Sequence, residues 1–222
     1  MDGLSGAALV LLSGGLDSAV CLYQAKKKFD SVYAITFDYF RRLERERQAA
    51  EQLAAAVGVK KLFHVSLPFL RETSDYDGFT AERDPLGKDS GLASYIPARN
   101  MIFYSIAAYY AEYLGIDTII GGHNQHDPTF FRDSSPSYFD KINALYEQGC
   151  VLCSGKPYKV FLPLREMNRR MIIELARDLQ VPIELTWSCH CDGKAPCGQC
   201  YACVQRAEAF SSLQLKDPLL RA

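Results

Sequence analysis

Two groups of side chains in this chain have the types and spacing to do chemistry. The first is Ser13-Gly14-Gly15-Leu16-Asp17-Ser18, which follows the apolar run Leu9-Val10-Leu11-Leu12 and precedes Ala19-Val20-Cys21-Leu22. That order predicts a buried strand, a tight turn and a helix start. Gly14 and Gly15 let the backbone bend sharply and admit an anion. Asp17 or Ser18 can cap the helix, and the open N–H groups of its first turn then face the loop as an anion site. The loop lacks the lysine of a G-x-x-x-x-G-K-[ST] phosphate loop and is not a G-x-G-x-x-G dinucleotide turn.

The second group lies near the C-terminus. Cys197, Cys200 and Cys203 are spaced C-x-x-C-x-x-C, and Cys189 or Cys191 supplies a fourth sulfur. Pro196 and Gly198 allow the turns that aim the thiolates at one point. Four thiolates around Zn²⁺ leave no open position, so the expected role is structural. An iron–sulfur cluster is the competing occupant.

These groups need elements to hold them. Ser31 to Phe37 reads as a second strand ending at Asp38, an acid placed where open α/β sheets bind ligands. The mixed charges from Arg41 onward, including Arg42, Arg45 and Arg47, read as the solvated face of a helix running to Gly58. Leu62 to Ser66 is a third strand. The segment from about Pro68 to Pro97 reads as a lid. Arg99 and Asn100 stand at the first turn of a helix over Met101 to Leu114, where positive charge is unfavourable unless an anion is near. Asp117 to Gly122 is a fourth strand and turn whose glycines, Gly121 included, admit an adenine or the substrate. His123 and His126 follow in a polar run as acid–base groups or metal ligands. Ser137 to Gln148 is helical. Cys150 and Cys153 read as two buried thiols. Lys159 to Leu164 is a fifth strand, and Arg169 opens the next helix. Alternating β and α elements predict a doubly wound parallel sheet with helices on both faces.

Composition narrows the classes. The 222 residues carry a formal net charge of -1 and are 48% hydrophobic, which favours one α/β domain with an appendage and no global basic field for nucleic acid. The lack of a membrane-length apolar run or a basic leader predicts a soluble, cytoplasmic protein. Five of the eight cysteines fall between Cys189 and Cys203, at metal rather than disulfide spacing.

The first loop resembles the PP-loop of the ATP-pyrophosphatases, which bind ATP there, join AMP to a substrate and release pyrophosphate. Together with the cysteine group, most of the chain resembles the 7-cyano-7-deazaguanine synthases of queuosine and archaeosine precursor synthesis. The resemblance runs through Thr36-Phe37-Asp38-Tyr39, Pro97-x-Arg99-Asn100, Pro163-Leu164, Leu185-Thr186-Trp187-Ser188-Cys189 and Arg206-Ala207-Glu208. It implies an adenine-nucleotide α-hydrolase-like fold with a five-stranded sheet, an ATP-binding domain over 1–185 and a zinc knot over 186–222. It implies a homodimer using ATP, Mg²⁺ and Zn²⁺, with Cys189, Cys197, Cys200 and Cys203 as zinc ligands. It also implies nucleotide contacts from Leu12, Ser13, Gly14, Gly15, Leu16, Asp17, Ser18, Phe37, Arg99, Asn100 and Gly121. Ser13, Asp17, Asp38, Arg99 and Arg169 are the catalytic candidates, with Mg²⁺ near Asp17 and Asp38. The implied reaction adenylates a purine-like carboxylate, lets ammonia displace AMP to give the amide, and uses a second ATP to form the nitrile.

The chain departs from that family on the substrate side. Phe40-Arg41-Arg42-Leu43 stands where the family runs Gly-Gln-Arg-His, Ala98 replaces a glycine, and Arg169 replaces a lysine. The family's Tyr-Pro-Asp-Cys-Arg segment has no match in Thr129 to Asp140. These changes leave room for an amine other than ammonia, a protein amine included. A tRNA thiolase with Cys150 and Cys153 carrying sulfur, and a zinc-bearing binding module, are the further alternatives.

Overall fold

The computed structural model describes residues 4–39, 42–70, 96–151, 157–191 and 193–221. Five strands, β1 (Leu4–Leu11), β2 (Phe29–Asp38), β3 (Leu62–Ser66), β4 (Thr118–Ile120) and β5 (Lys159–Phe161), form one sheet. Every neighbour pair is parallel, in the order β3-β2-β1-β4-β5. β1 is therefore central, and its C-terminal end meets the crevice where the strand order reverses direction.

Alternation along the strands sorts the core into two layers. Ala8, Val10 and Leu12 face one cluster with Val20, Leu53, Ile172 and Phe210. Those four lie on α1 (Leu16–Lys28), α2 (Glu44–Val57), α6 (Arg169–Asp178) and α7 (Tyr201–Ser212). Leu9, Ile35 and Ile119 face the other cluster, with Tyr104 and Ala107 from α3 (Arg99–Leu114) and Phe139 and Ile142 from α5 (Pro136–Gly149). A one-turn helix, α4 (Asp127–Phe130), begins at the last residue of the polar run, whose His123 to His126 are not helical.

The structure adjusts several expectations. α2 begins at Glu44 rather than Arg41, because Glu46 accepts from the Leu43 N–H at 3.2 Å and fixes the start. Arg41 and most of the expected lid lie outside the described residues, as does Cys153; Cys150 is disulfide-bonded, not a free thiol. The C-terminal segment shares the main core through Ala209 and Phe210, and Trp187, Cys189 and Cys203 pack on Ala49 of α2. Arg206 ties that segment down: it is buried and bidentate to Asp217, at 2.6 and 2.9 Å, and also donates to Thr186 Oγ1 and Ser188 Oγ.

Gly121, at the end of β4, shows how tightly the strand ends meet the helices. A Cβ there would overlap the Tyr104 hydroxyl and press on Leu162 Cδ2 at 3.0 Å. Gly121→Ala is expected to lower stability by about 1–3 kcal/mol through overpacking. Adding Tyr104→Phe recovers part of that loss in denaturant unfolding; strictly additive losses would contradict the packing assigned here.

Candidate active site

A cavity of about 410 Å³ opens beyond the C-terminal end of β1. Its size is within the range of small-ligand sites. Ser13, Gly15, Leu16, Asp17 and Ser18 line it from the loop and the first turn of α1. Gly15 is the N-cap of α1 and has no side chain to satisfy the open N–H groups. The loop holds its own shape through serine hydroxyls. Ser18 Oγ accepts from Ser13 N at 3.2 Å and donates to Gly15 O at 3.0 Å, while Ser13 Oγ accepts from Gly15 N at 3.2 Å.

Gly14 lies beneath the loop rather than in the cavity wall. It adopts φ +97, and a Cβ would overlap the Glu46 carbonyl oxygen and crowd Ala50 N at 3.1 Å. Its own carbonyl accepts from Trp187 N at 2.9 Å. The turn is thus pinned to α2 on one side and to the C-terminal segment on the other.

Two further helices start at the same cavity. Arg99 and Asn100 line it from the first turn of α3, whose N-cap, Ala98, makes no side-chain cap and takes φ 53. Arg169 lines it from the first turn of α6. Neither arginine forms an ion pair with a carboxylate among the described residues. Arg206, by contrast, is matched by Asp217. The cavity therefore gathers the uncapped starts of α1 and α3, the Asn168-capped start of α6 and two guanidinium groups without a direct salt bridge, an arrangement that favours a multiply charged anion.

The carboxylates are engaged differently from the sequence expectation. Asp17 Oδ2 accepts from Asn124 Nδ2 at 2.7 Å. Burial pushes the Asp17 carboxyl above its ordinary value, against the Asn124 hydrogen bond; Asp127 adds to the rise, and Arg169 and His123 oppose it. Asp38 does not join Asp17. It faces Arg42 Nη1 at 3.7 Å and is not part of the cavity wall, so no magnesium site is assigned to that pair.

Other predicted nucleotide residues separate by position. Leu12 and Phe37 line a smaller recess of about 110 Å³ beside Ser13, where Phe37 stacks on Phe103 at 4.2 Å. Gly121 lines neither space; its missing side chain is used by Tyr104, and Gly122 is the glycine that faces the cavity. Asn100 is buried and donates to Asp133 O at 3.0 Å, fixing the turn after α4.

Arg42 is a site residue that the charge pattern concealed. It precedes α2 and is buried under the loop, not solvated on a helix face. Its Nη1 donates to Thr36 Oγ1 and Phe37 O, both at 2.6 Å, and its Nη2 to Ser13 O at 3.2 Å. Burial lowers its pKa against the pull of Asp38. Asn124 is the other: buried at 2% exposure, it links Asp17 to α4.

The sulfur atoms of Cys189, Cys197, Cys200 and Cys203 all lie within 4.8 Å of one another. Zn–S bonds of 2.3 Å in a tetrahedron would separate the sulfurs by roughly 3.8 Å, so the four side chains fit such an ion. Cys191 stays outside and exposed, and gives a backbone N–H to Cys189 Sγ at 3.3 Å. The N–H groups of Gln199 and Cys200 hold the Cys197 thiol down to about 6, which favours a thiolate.

The five-stranded parallel sheet with an uncapped glycine turn on its central strand is of the adenine-nucleotide α-hydrolase-like fold class. An NMN synthetase from Francisella tularensis shares the fold at TM-score 0.52 and 19% identity, over 97% of this chain and 81% of that one. Within this class the chain belongs to the QueC family: the model for "Queuosine biosynthesis protein QueC" matches residues 7–214. A 7-cyano-7-deazaguanine synthase of Thermosynechococcus vestitus is 38% identical over 96% of this chain and 94% of its own length. One from Methanothrix thermoacetophila is 36% identical over 96% and 97%. No helix among the described residues is long and apolar enough to cross a membrane.

The raised pKa of Asp17 has a thermodynamic sign. A carboxyl whose folded value exceeds its unfolded value destabilises the fold once pH rises above the unfolded value. Asp17→Asn should therefore melt above the wild type at pH 7, with the difference closing as pH falls below about 4. A gap that persists at low pH would show that the asparagine acts by packing instead.

Proposed function

We propose that this chain is an ATP-dependent ligase that converts 7-carboxy-7-deazaguanine to 7-cyano-7-deazaguanine through the amide, releasing AMP and pyrophosphate. The observation that carries this reading is the convergence of Arg99, Arg169 and the uncapped start of α1 on one cavity, in a QueC-family chain. A carboxylate at neutral pH is a poor electrophile. Its attack on the α-phosphorus of ATP converts one carboxyl oxygen into a leaving group. The open N–H groups after Gly15 hold the α-phosphate, and Arg99 and Arg169 neutralise charge that grows on the departing pyrophosphate. Ammonia then takes the acyl carbon, and AMP leaves. No covalent enzyme intermediate is needed.

The purified protein incubated with the acid, ammonium and Mg·ATP is expected to yield amide and then nitrile, with AMP matching each turnover. Absence of acid-dependent AMP contradicts the reading. AMP release without amide or nitrile would move the acceptor to another amine.

We assign the four-cysteine cluster to one zinc ion per chain with a structural role. The support is the closed tetrahedral set and its place between α2 and α7, where it fastens Trp187 beside the loop. Metal analysis should find zinc at one equivalent, retained in Cys191→Ser and lost in Cys189→Ser. An iron content with visible charge-transfer absorption would overturn the assignment.

A further inference from the structure

The polar run after β4 holds a histidine–carboxylate pair that the adenylating reading leaves unused. His123 and Asp127 both line the cavity, with His123 Nδ1 3.6 Å from Asp127 Oδ2. The imidazole packs against two touching rings, 5.1 Å from Phe139 and 5.9 Å from Tyr104, which restricts its plane. Asp127 is fixed in turn, because its Oδ2 accepts from Asn124 N at 3.1 Å. Asn124 also holds Asp17, so one residue ties the pair to the phosphate loop. Gly122, next to His123, lies so close to the first turn of α1 that a Cβ would stand 3.1 Å from Ser18 N. The imidazole is thereby anchored one residue from the amides assigned to the α-phosphate. His126 is excluded from this role: it is exposed and does not line the cavity.

The geometry points to His123, oriented by Asp127, as the base that removes a proton from the attacking amine. This rests on the adenylate chemistry proposed above. The lone pair of ammonia forms the C–N bond at the acyl carbon, and the carbonyl π pair moves to oxygen. The nitrogen is now positively charged, and amide cannot persist until one N–H proton leaves. Nδ1 faces the carboxylate, so Nε2 is the nitrogen that accepts the proton. Asp127 then stabilises the imidazolium. The carbonyl re-forms as the C–O bond to AMP breaks, and AMP takes that electron pair. In the nitrile step the amide oxygen attacks the α-phosphorus of a second ATP and pyrophosphate leaves; one N–H proton is lost to give the neutral imidate, and the base removes the second as the AMP oxygen departs with its electron pair and C=N becomes C≡N. Neither step changes oxidation state.

The test separates base catalysis from adenylation. Hydroxylamine is a stronger nucleophile that traps acyl adenylates without a base, giving a hydroxamate. In His123→Gln, ammonia-dependent amide formation should fall about 100-fold or more, while hydroxamate formation with the acid and Mg·ATP stays near wild type. In His123→Ala, added imidazole should restore part of the amide rate. Amide and hydroxamate rates that fall together without imidazole rescue would make His123 a packing residue and overturn the proposal. Unchanged rates in His123→Gln would overturn it as well. If the wild type itself gives no hydroxamate, the ligase reading fails and the base assignment with it.

Discussion

Positive charge at the start of a helix meets the positive end of the helix dipole, and the repulsion is strongest in the first turn. This chain places arginine in that position twice, at Arg99 and Arg169, and brings both helices to the cavity that already receives the open start of α1. Among the described residues neither guanidinium forms a direct salt bridge, and only the charge of Asp17 acts on Arg169 from a distance. A bound polyphosphate would resolve the conflict, and in the proposed reaction the same field would stabilise a departing pyrophosphate. The rest of the molecule is arranged to keep these groups converged.

That arrangement is achieved by packing around the loop. Gly14 gives up its side-chain volume to the α2 backbone, while Arg42 bridges Ser13, Thr36 and Phe37 from below. Trp187 holds the Gly14 carbonyl and is itself packed on the cysteine cluster. A structural metal would therefore act on the nucleotide site through one tryptophan backbone hydrogen bond and the shared core. The sulfurs need touch no substrate to matter for activity.

Much of this was legible in the sequence because it depends on local pattern. The β1 run, the glycine turn and β3 at Leu62–Ser66 follow from periodicity and turn residues, and the cysteine spacing identified three of its four sulfurs. Spacing left Cys189 and Cys191 open, since two residues apart is ambiguous in a turn; the family resemblance favoured Cys189, and the sulfur geometry agrees. Arg42 was read as solvated because alternating Arg and Glu resembles an exposed helix face. Its place outside the helix, before the Glu46 cap, was the available signal. Gly121 and Gly122 look equivalent as a pair, yet which one faces the cavity depends on where Tyr104 lands from α3. Asp38 ends its strand as expected, but Arg42 turns it away from Asp17, a contact no spacing rule contains.

The central claim is that the convergence of α1, α3 and α6 is a phosphate site that holds AMP during acyl transfer. A crystal structure of the protein with AMP tests it most directly. The account predicts the phosphate against the backbone N–H groups that follow Gly15, with Arg99 or Arg169 in contact and the base in the adjoining recess lined by Phe37. AMP bound elsewhere, or a loop that stays closed under Trp187 with its amides turned from the phosphate, would contradict it.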